Sequence, residues 1–144
     1  QDVAVRFSKC CDPVPGDKIV GFVTRGRGVS IHRADCVNVV NLTDEAKARV
    51  IEASWAQNSE TDGTESFVSE INIYANDRAG LLNDVTKTFS ERNINLLRVN
   101  TMTSRHGIAT ITLGFEVKSK EELEEICTRM QNVRGVQAVK RTNG

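Results

Sequence analysis

The sequence has no surplus of charge: 19 basic residues balance 19 acidic ones. Global charge therefore does not steer the chain toward DNA or an anionic membrane. No apolar run approaches the ~20 residues needed to span a bilayer. The N-terminal stretch Gln1-Asp2-Val3-Ala4-Val5-Arg6 lacks the apolar segment of a signal peptide. The expected location is cytoplasmic, with no membrane partner. Lacking an initiating Met, the chain is expected to be a cut piece of a longer one. No solenoid-length repeat is visible. There is no Gly-Lys-Ser/Thr phosphate loop. The two histidines, His32 and His106, lie in different segments, and neither has a Ser or Cys nucleophile with an orienting acid. No catalytic residue is therefore expected. The four cysteines come with no export signal, so a disulfide framework is not expected either.

What is present is ordinary globular composition. Of 144 residues, 39% are apolar and 26% charged, as in soluble domains. The length suits one domain or two small ones. Residues 57–66 form a polar stretch without an aliphatic or aromatic side chain. It divides the chain into a first domain at 1–57, a linker at 58–66 and a second domain at 67–144.

The second domain has a clear rhythm. Phe67, Ser69, Ile71, Ile73 and Ala75 alternate with Val68, Glu70, Asn72 and Tyr74 and predict a strand. A turn follows, with Asn76 or Asp77 as helix cap. Leu81, Leu82, Val85 and Phe89 fall on one face of a helix that Asn93 ends. Strands are expected at Ile94–Thr103 and Ile108–Lys118, joined by a hairpin turn at Arg105-His106-Gly107. In the latter strand Ile111, Leu113, Phe115 and Val117 face one way. Thr110, Thr112, Gly114 and Glu116 face the other, with no aromatic among them to stack RNA bases. Ser119 and Glu122 form a capping box. Leu123, Ile126, Cys127 and Met130 give the next helix its apolar face. A last strand runs from Val133 to Arg141. The order β-α-β-β-α-β is ferredoxin-like, within an α+β fold class.

The first domain is smaller and less regular. Strands are expected at Val3–Phe7, Ile19–Thr24, Val29–His32 and Val50–Trp55. A turn covers Pro13–Asp17, a short helix Arg33–Leu42 and a polar helical turn Asp44–Arg49. A core this small often needs a metal or a neighbour.

Three of the four cysteines, Cys10, Cys11 and Cys36, fall in this part, with His32 between them. Three thiols and an imidazole would complete a closed tetrahedral zinc site. His32 and Cys36 share a face if their segment is helical. Adjacent Cys10 and Cys11 diverge on a strand, so a loop must turn both inward. The same residues also read as small buried core groups, or as a redox pair, though an adjacent pair closes a strained ring. Cys127 reads as core.

Two further features bear on binding. Arg25-Gly26-Arg27-Gly28 is a flexible basic loop able to approach phosphates closely. Over residues 1–42, six basic residues face four acidic ones, a modest surplus. The loop reads as an RNA-backbone contact or as a solvated hairpin tip. In Asp77-Arg78-Ala79-Gly80-Leu81-Leu82, Gly80 brings backbone close at a helix N-terminus, where a carboxylate is favoured. Asp77 could accept from an ammonium group. That pairing suits an amino acid, or simply a well-capped helix.

The run from Lys9-Cys10-Cys11 through Pro13, Pro15-Gly16-Asp17, Gly21-Phe22-Val23-Thr24-Arg25-Gly26-Arg27-Gly28 to His32-Arg33 and Asp35-Cys36 resembles a C-terminal region of the long RelA/SpoT homologues. These are the (p)ppGpp synthetase/hydrolases, or GTP pyrophosphokinases, of the stringent response. The second domain resembles the ACT domain that ends those chains, through Asp77-Arg78-x-Gly80-Leu81-Leu82. The resemblance implies a regulatory fragment whose hydrolase, synthetase and TGS domains lie elsewhere, so the fragment itself is not an enzyme. It implies a zinc-finger-like, conserved-cysteine domain with Cys10, Cys11, His32 and Cys36 as zinc candidates and no other cofactor. It implies ribosomal RNA as partner, with Arg25, Arg27, Lys18 and Arg33 as contacts. The N-terminal catalytic domains of the parent chain are the partners to be regulated. It also implies Asp77, Arg78, Gly80 and Leu81 at a ligand or dimer interface. The ligand would be a branched-chain amino acid, the dimer a homodimer.

Overall fold

A computed structural model describes residues 4–26, 28–55 and 66–142. The expected linker falls, apart from Ser66, outside the described residues. Two compact units make up the chain, one before Ser66 and one from Ser66 to Thr142.

The first unit holds strands β1 (Val5–Phe7), β2 (Ile19–Thr24), β3 (Gly28–Arg33) and β4 (Val50–Glu52), with short helices α1 (Val37–Val40) and α2 (Asp44–Lys47) between β3 and β4. The sheet order is β1-β3-β2-β4. β1 runs parallel to β3, while β2 is antiparallel to both β3 and β4. β4 stops three residues short of the expected end. Trp55 turns away instead, donates its indole N–H to the Asp17 carbonyl at 2.9 Å and stacks on Phe7 at 5.4 Å. The expected helix at Arg33–Leu42 shrinks to α1. β3 runs on through Arg33, and Cys36 takes an extended conformation as the helix cap. The Thr43 hydroxyl caps α2 by accepting from the Ala46 amide.

The second unit is β5 (Phe67–Asn76), α3 (Leu81–Glu91), β6 (Leu96–Thr103), β7 (Ile108–Val117), α4 (Lys120–Gln131) and β8 (Val136–Arg141). Its sheet order is β6-β7-β5-β8, antiparallel throughout. The expected βαββαβ order holds. Ile71, Ile73 and Ala75 from β5 and Ile111, Leu113, Phe115 and Val117 from β7 are buried. So are Leu81, Val85 and Phe89 of α3, and Leu123, Ile126 and Met130 of α4. Phe89 meets Phe115 at 4.9 Å with tilted rings, a favoured aromatic geometry. The Ser119 hydroxyl caps α4 by accepting from the Glu122 amide at 3.1 Å. Glu122 reaches back to the Lys118 amide at 2.8 Å.

Four expectations change here. Neither Asn76 nor Asp77 caps α3: their amides donate to the Gly135 and Gly107 carbonyls, both at 2.8 Å. The helix begins later, on Gly80 with φ 80°. Leu82 is 43% exposed and leaves the buried helix face. Cys127 is only part-buried. The last strand starts at Val136 because Val133 to Gly135 form a turn, with Gly135 at φ 95°.

Opposite the helices, the sheet is polar. Tyr74 of β5 alternates onto that face with Glu70 and Asn72. The Thr112 hydroxyl donates to Asn72 at 2.6 Å. Arg98 of β6 crosses β7 and donates to Glu70 of β5 at 2.7 and 3.2 Å. It crosses over Gly114, where an added Cβ would sit 2.9 Å from its Nη2.

Candidate metal centre and ligand cleft

Ser8 to Asp12 solve the problem of the adjacent cysteines. The Asp12 amide donates to the Ser8 carbonyl at 3.0 Å, closing a single helical turn. Side chains one residue apart on such a turn diverge by about 100°, not 180°, so Cys10 and Cys11 face one centre. Asp12 then takes a left-handed φ of 48° and redirects the chain into Pro13. His32 arrives from β3 and Cys36 from the cap of α1. They do not share a helix, as the spacing suggested. A turn closed by the Cys36 amide on the Arg33 carbonyl, at 3.0 Å, brings them together.

Cys10 Sγ lies 3.5 Å from Cys36 Sγ, 4.0 Å from Cys11 Sγ and 3.4 Å from His32 Nδ1. Cys11 Sγ lies 3.8 Å from that nitrogen. All four donor atoms fall within 4.8 Å of one another. With metal–sulfur bonds of about 2.3 Å and metal–nitrogen bonds of about 2.0–2.1 Å, tetrahedral edges measure roughly 3.8 Å (S···S) and 3.6 Å (S···N). The observed spacings scatter around those edges. The four residues could hold one metal ion.

The surroundings suit such a centre. Cys11 and Cys36 are buried, at 2% and 0% exposure. The Arg33 amide donates to Cys11 Sγ at 3.3 Å. The Ser8 hydroxyl lies 3.0 Å from Cys10 Sγ. Burial raises the Cys10 thiol, but hydrogen bonds with Ser8, Asn38, Cys36 and Cys11 outweigh it, leaving its pKa below the ordinary value. Burial pushes the Cys11 thiol up to about 12, against the pull of the Arg33 amide. Burial also lowers His32, keeping the imidazole in its neutral, metal-binding form. A metal would displace the Cys11 proton.

Among the described residues, Lys18, Arg25 and Arg33 do not form one patch. Arg25 is exposed at the turn between β2 and β3, beside Gly26 at φ 72°. Arg27 lies outside the described residues. Lys18 sits at the opposite end of β2, where its carbonyl accepts from the Ala34 amide at 2.8 Å. At about 3.3 Å per residue, roughly 20 Å separate Lys18 from Arg25. Arg33 is 4% exposed and turned inward. It donates to the Cys11 carbonyl at 3.3 Å and to Asp35 at 3.0 Å. Its place is as a brace of the cysteine turn. Ser8 and Asn38 escaped the sequence reading. A hydroxyl two residues before a loop cysteine is a usable signal; Asn38 has none until the fold is known.

In the second unit a cleft of about 290 Å³ opens between the start of α3 and strands β6 and β7. Asp77, Arg78, Gly80 and Leu81 all line it, with Thr101 and Thr103 opposite. A side chain at Gly80 would be strained by its left-handed φ. The early amides of α3 lack intrahelical partners by helix geometry. Arg78 is engaged elsewhere. It donates to the Arg134 and Ala79 carbonyls, both at 3.1 Å, and to Asp84 at 2.8 Å. It therefore braces the cleft wall.

Among the described residues, no helix is long and apolar enough to cross a membrane. Residues 1–56 match the family model of the RelA/SpoT RIS domain, and residues 63–141 match that of the ACT domain. A GTP pyrophosphokinase of Streptomyces coelicolor is 42% identical over 98% of this chain and 16% of its own length. The bifunctional (p)ppGpp synthase/hydrolase RelA of Mycobacterium tuberculosis is 40% identical over 96% of this chain and 18% of its own. The chain thus spans under a fifth of the relatives it matches. The crystal structure of the ACT domain from the GTP pyrophosphokinase of Chlorobium tepidum is similar over 54% of this chain and 99% of that one. It is 27% identical, with TM-score 0.48. The RIS and ACT matches in succession, with relatives of one kind along nearly the whole sequence, make this chain a member of the ACT-domain family and a C-terminal regulatory region of a RelA/SpoT homologue.

Proposed function

We propose that zinc, held by Cys10, Cys11, His32 and Cys36, shapes the first unit into a module that contacts ribosomal RNA. That contact is relayed to catalytic domains elsewhere in a longer (p)ppGpp synthetase/hydrolase. Such a partner puts the protein in the cytoplasm. The observation that carries the reading is the convergence of the four donor atoms within 4.8 Å of one another, with Cys11 and Cys36 buried. Zinc would supply a cross-link between the Ser8–Asp12 turn, the end of β3 and the start of α1. The same link would fix the base of the β2–β3 hairpin, whose far tip presents Arg25. An exposed guanidinium at a glycine-flanked tip suits the RNA backbone, where contacts position without reading sequence.

The test is Arg25→Glu, with Arg27→Glu beside it, read by co-sedimentation with ribosomes over a salt series. Association is expected to fall by roughly tenfold or more, and each lost phosphate contact to reduce the salt slope by about 1. Unchanged binding and slope would remove the tip as the RNA contact.

The cleft favours a second reading, an amino-acid sensor. Its volume of about 290 Å³ lies at the small end for small-molecule sites. The first turn of α3 would receive a carboxylate and Asp77 an ammonium group. Calorimetry with valine, leucine and isoleucine is expected to give heat that Gly80→Trp abolishes. Silence from all three would retire the idea. Strand β6 ends the sheet and exposes Val99 and Met102, which supports a homodimer closed along that edge. Sedimentation equilibrium should then show mass rising with concentration; a constant monomer mass counts against it.

A further inference from the structure

The cysteine cluster contains a pair of thiols placed to bond to one another. Cys10 Sγ and Cys36 Sγ lie 3.5 Å apart and belong to residues 26 positions apart in sequence. A disulfide measures about 2.05 Å between sulfurs, so the gap to close is about 1.5 Å. Cys10 and Cys11, at 4.0 Å, are adjacent in sequence and would close a strained ring. Accessibility separates the three thiols further. Cys11 and Cys36 are buried, whereas Cys10 is part-exposed on its turn. A small oxidant in solvent therefore meets Cys10 first, with Cys36 directly behind it. Cys11 is held in place by the Arg33 amide on its sulfur.

We infer that Cys10 and Cys36 form a reversible disulfide that competes with the metal for the same sulfurs. Hydrogen peroxide is the oxidant. Cys10 sulfur attacks the peroxide oxygen, the O–O bond breaks, and sulfenic acid and one water result. Cys36 sulfur then attacks the sulfenic sulfur, the S–O bond breaks, and the second water leaves. The two thiols lose two electrons, and hydrogen peroxide takes them up as two waters. A dithiol reverses the bond by exchange. With Cys10 and Cys36 joined, only Cys11 and His32 remain as donors, half of a tetrahedral set. The ion is then released. The bond itself needs no metal; only the release rests on the zinc reading above.

The test treats the full chain with hydrogen peroxide, blocks free thiols with iodoacetamide and digests with trypsin without reductant. Trypsin leaves Cys10 and Cys11 together on residues 10–18 and Cys36 on residues 34–47. These two peptides are expected to emerge joined and to separate on dithiothreitol. Two thiols should be lost per chain as zinc appears in a chelating dye. Cys36→Ser should lose the link. An internal bond within residues 10–18 would overturn the inference. So would Cys10 advancing to sulfinic acid while Cys36 is still alkylated. A chain that purifies without zinc yet forms the link removes the zinc reading alone. A chain that holds zinc and never forms the link removes the disulfide alone.

Discussion

Cys36→Ser is expected to strip the metal from the chain and unfold the first unit while the second stays folded. The described core of the first unit is small. Its buried aliphatic and thiol side chains are four, Cys11, Val14, Ile31 and Cys36, joined by buried Pro13, Gly21, Asp17 and Arg33. Two of those four are themselves metal candidates. A core of this size gives little stability without a staple. Structural zinc contributes about 10–16 kcal/mol of apparent binding energy in finger peptides at neutral pH, far more than so few buried side chains supply. Removing Cys36 also leaves the other donors gathered around nothing. Zinc content is expected to fall from about one per chain to below about 0.1, since one ligand is gone from a closed site. Amide exchange should lose protection across residues 4–55 and keep it across 66–142. Retained protection in the first unit would make the cysteines packing groups and its own contacts sufficient.

Phe115→Ala is expected to do the reverse, destabilising the second unit by about 3–5 kcal/mol. Phe115 is fully buried on β7, the strand between β6 and β5, and its ring packs on Phe89 of α3. Truncation opens a cavity between sheet and helix that neighbours on a central strand are poorly placed to fill. In a domain of this size each kcal/mol moves Tm by about 4–8 °C. The second unit's transition should therefore drop by well over roughly 10 °C, with zinc content untouched. A loss under about 1 kcal/mol would mean that the layers close over the gap.

Legibility followed the range of the forces. Ile71, Ile73, Ile111, Leu113 and Phe115 announce their strands because one face is buried and the alternation is local. The Ser119 box is read from residues three apart. The cap of α3 was misread because Asn76 and Asp77 are held by Gly135 and Gly107, remote in sequence and near only after the sheet forms. Leu82 keeps the helical period but is 43% exposed at the mouth of the cleft. In the first unit the donor set was legible and its assembly was not. The residue types named Cys10, Cys11, His32 and Cys36. The helical turn that aims two adjacent thiols together, and the strand-to-cap geometry that replaces a shared helix face, rest on backbone bonds that composition does not reveal. The parallel pairing of β1 with β3 likewise left no trace in the residue pattern.

Arg98 and Glu70 carry one more consequence. The pairing of β6 with β7 shifts between Leu96 and Arg98, and such an irregularity is where an edge strand can slide by one position. A slide would carry Arg98 to the helix side and part it from Glu70. The ion pair therefore checks alignment across three strands at once. Gly114 is the gap through which that check is made: a side chain there would lift the guanidinium away and blind it. A residue with no side chain thus proofreads an edge strand, the one that also bounds the cleft.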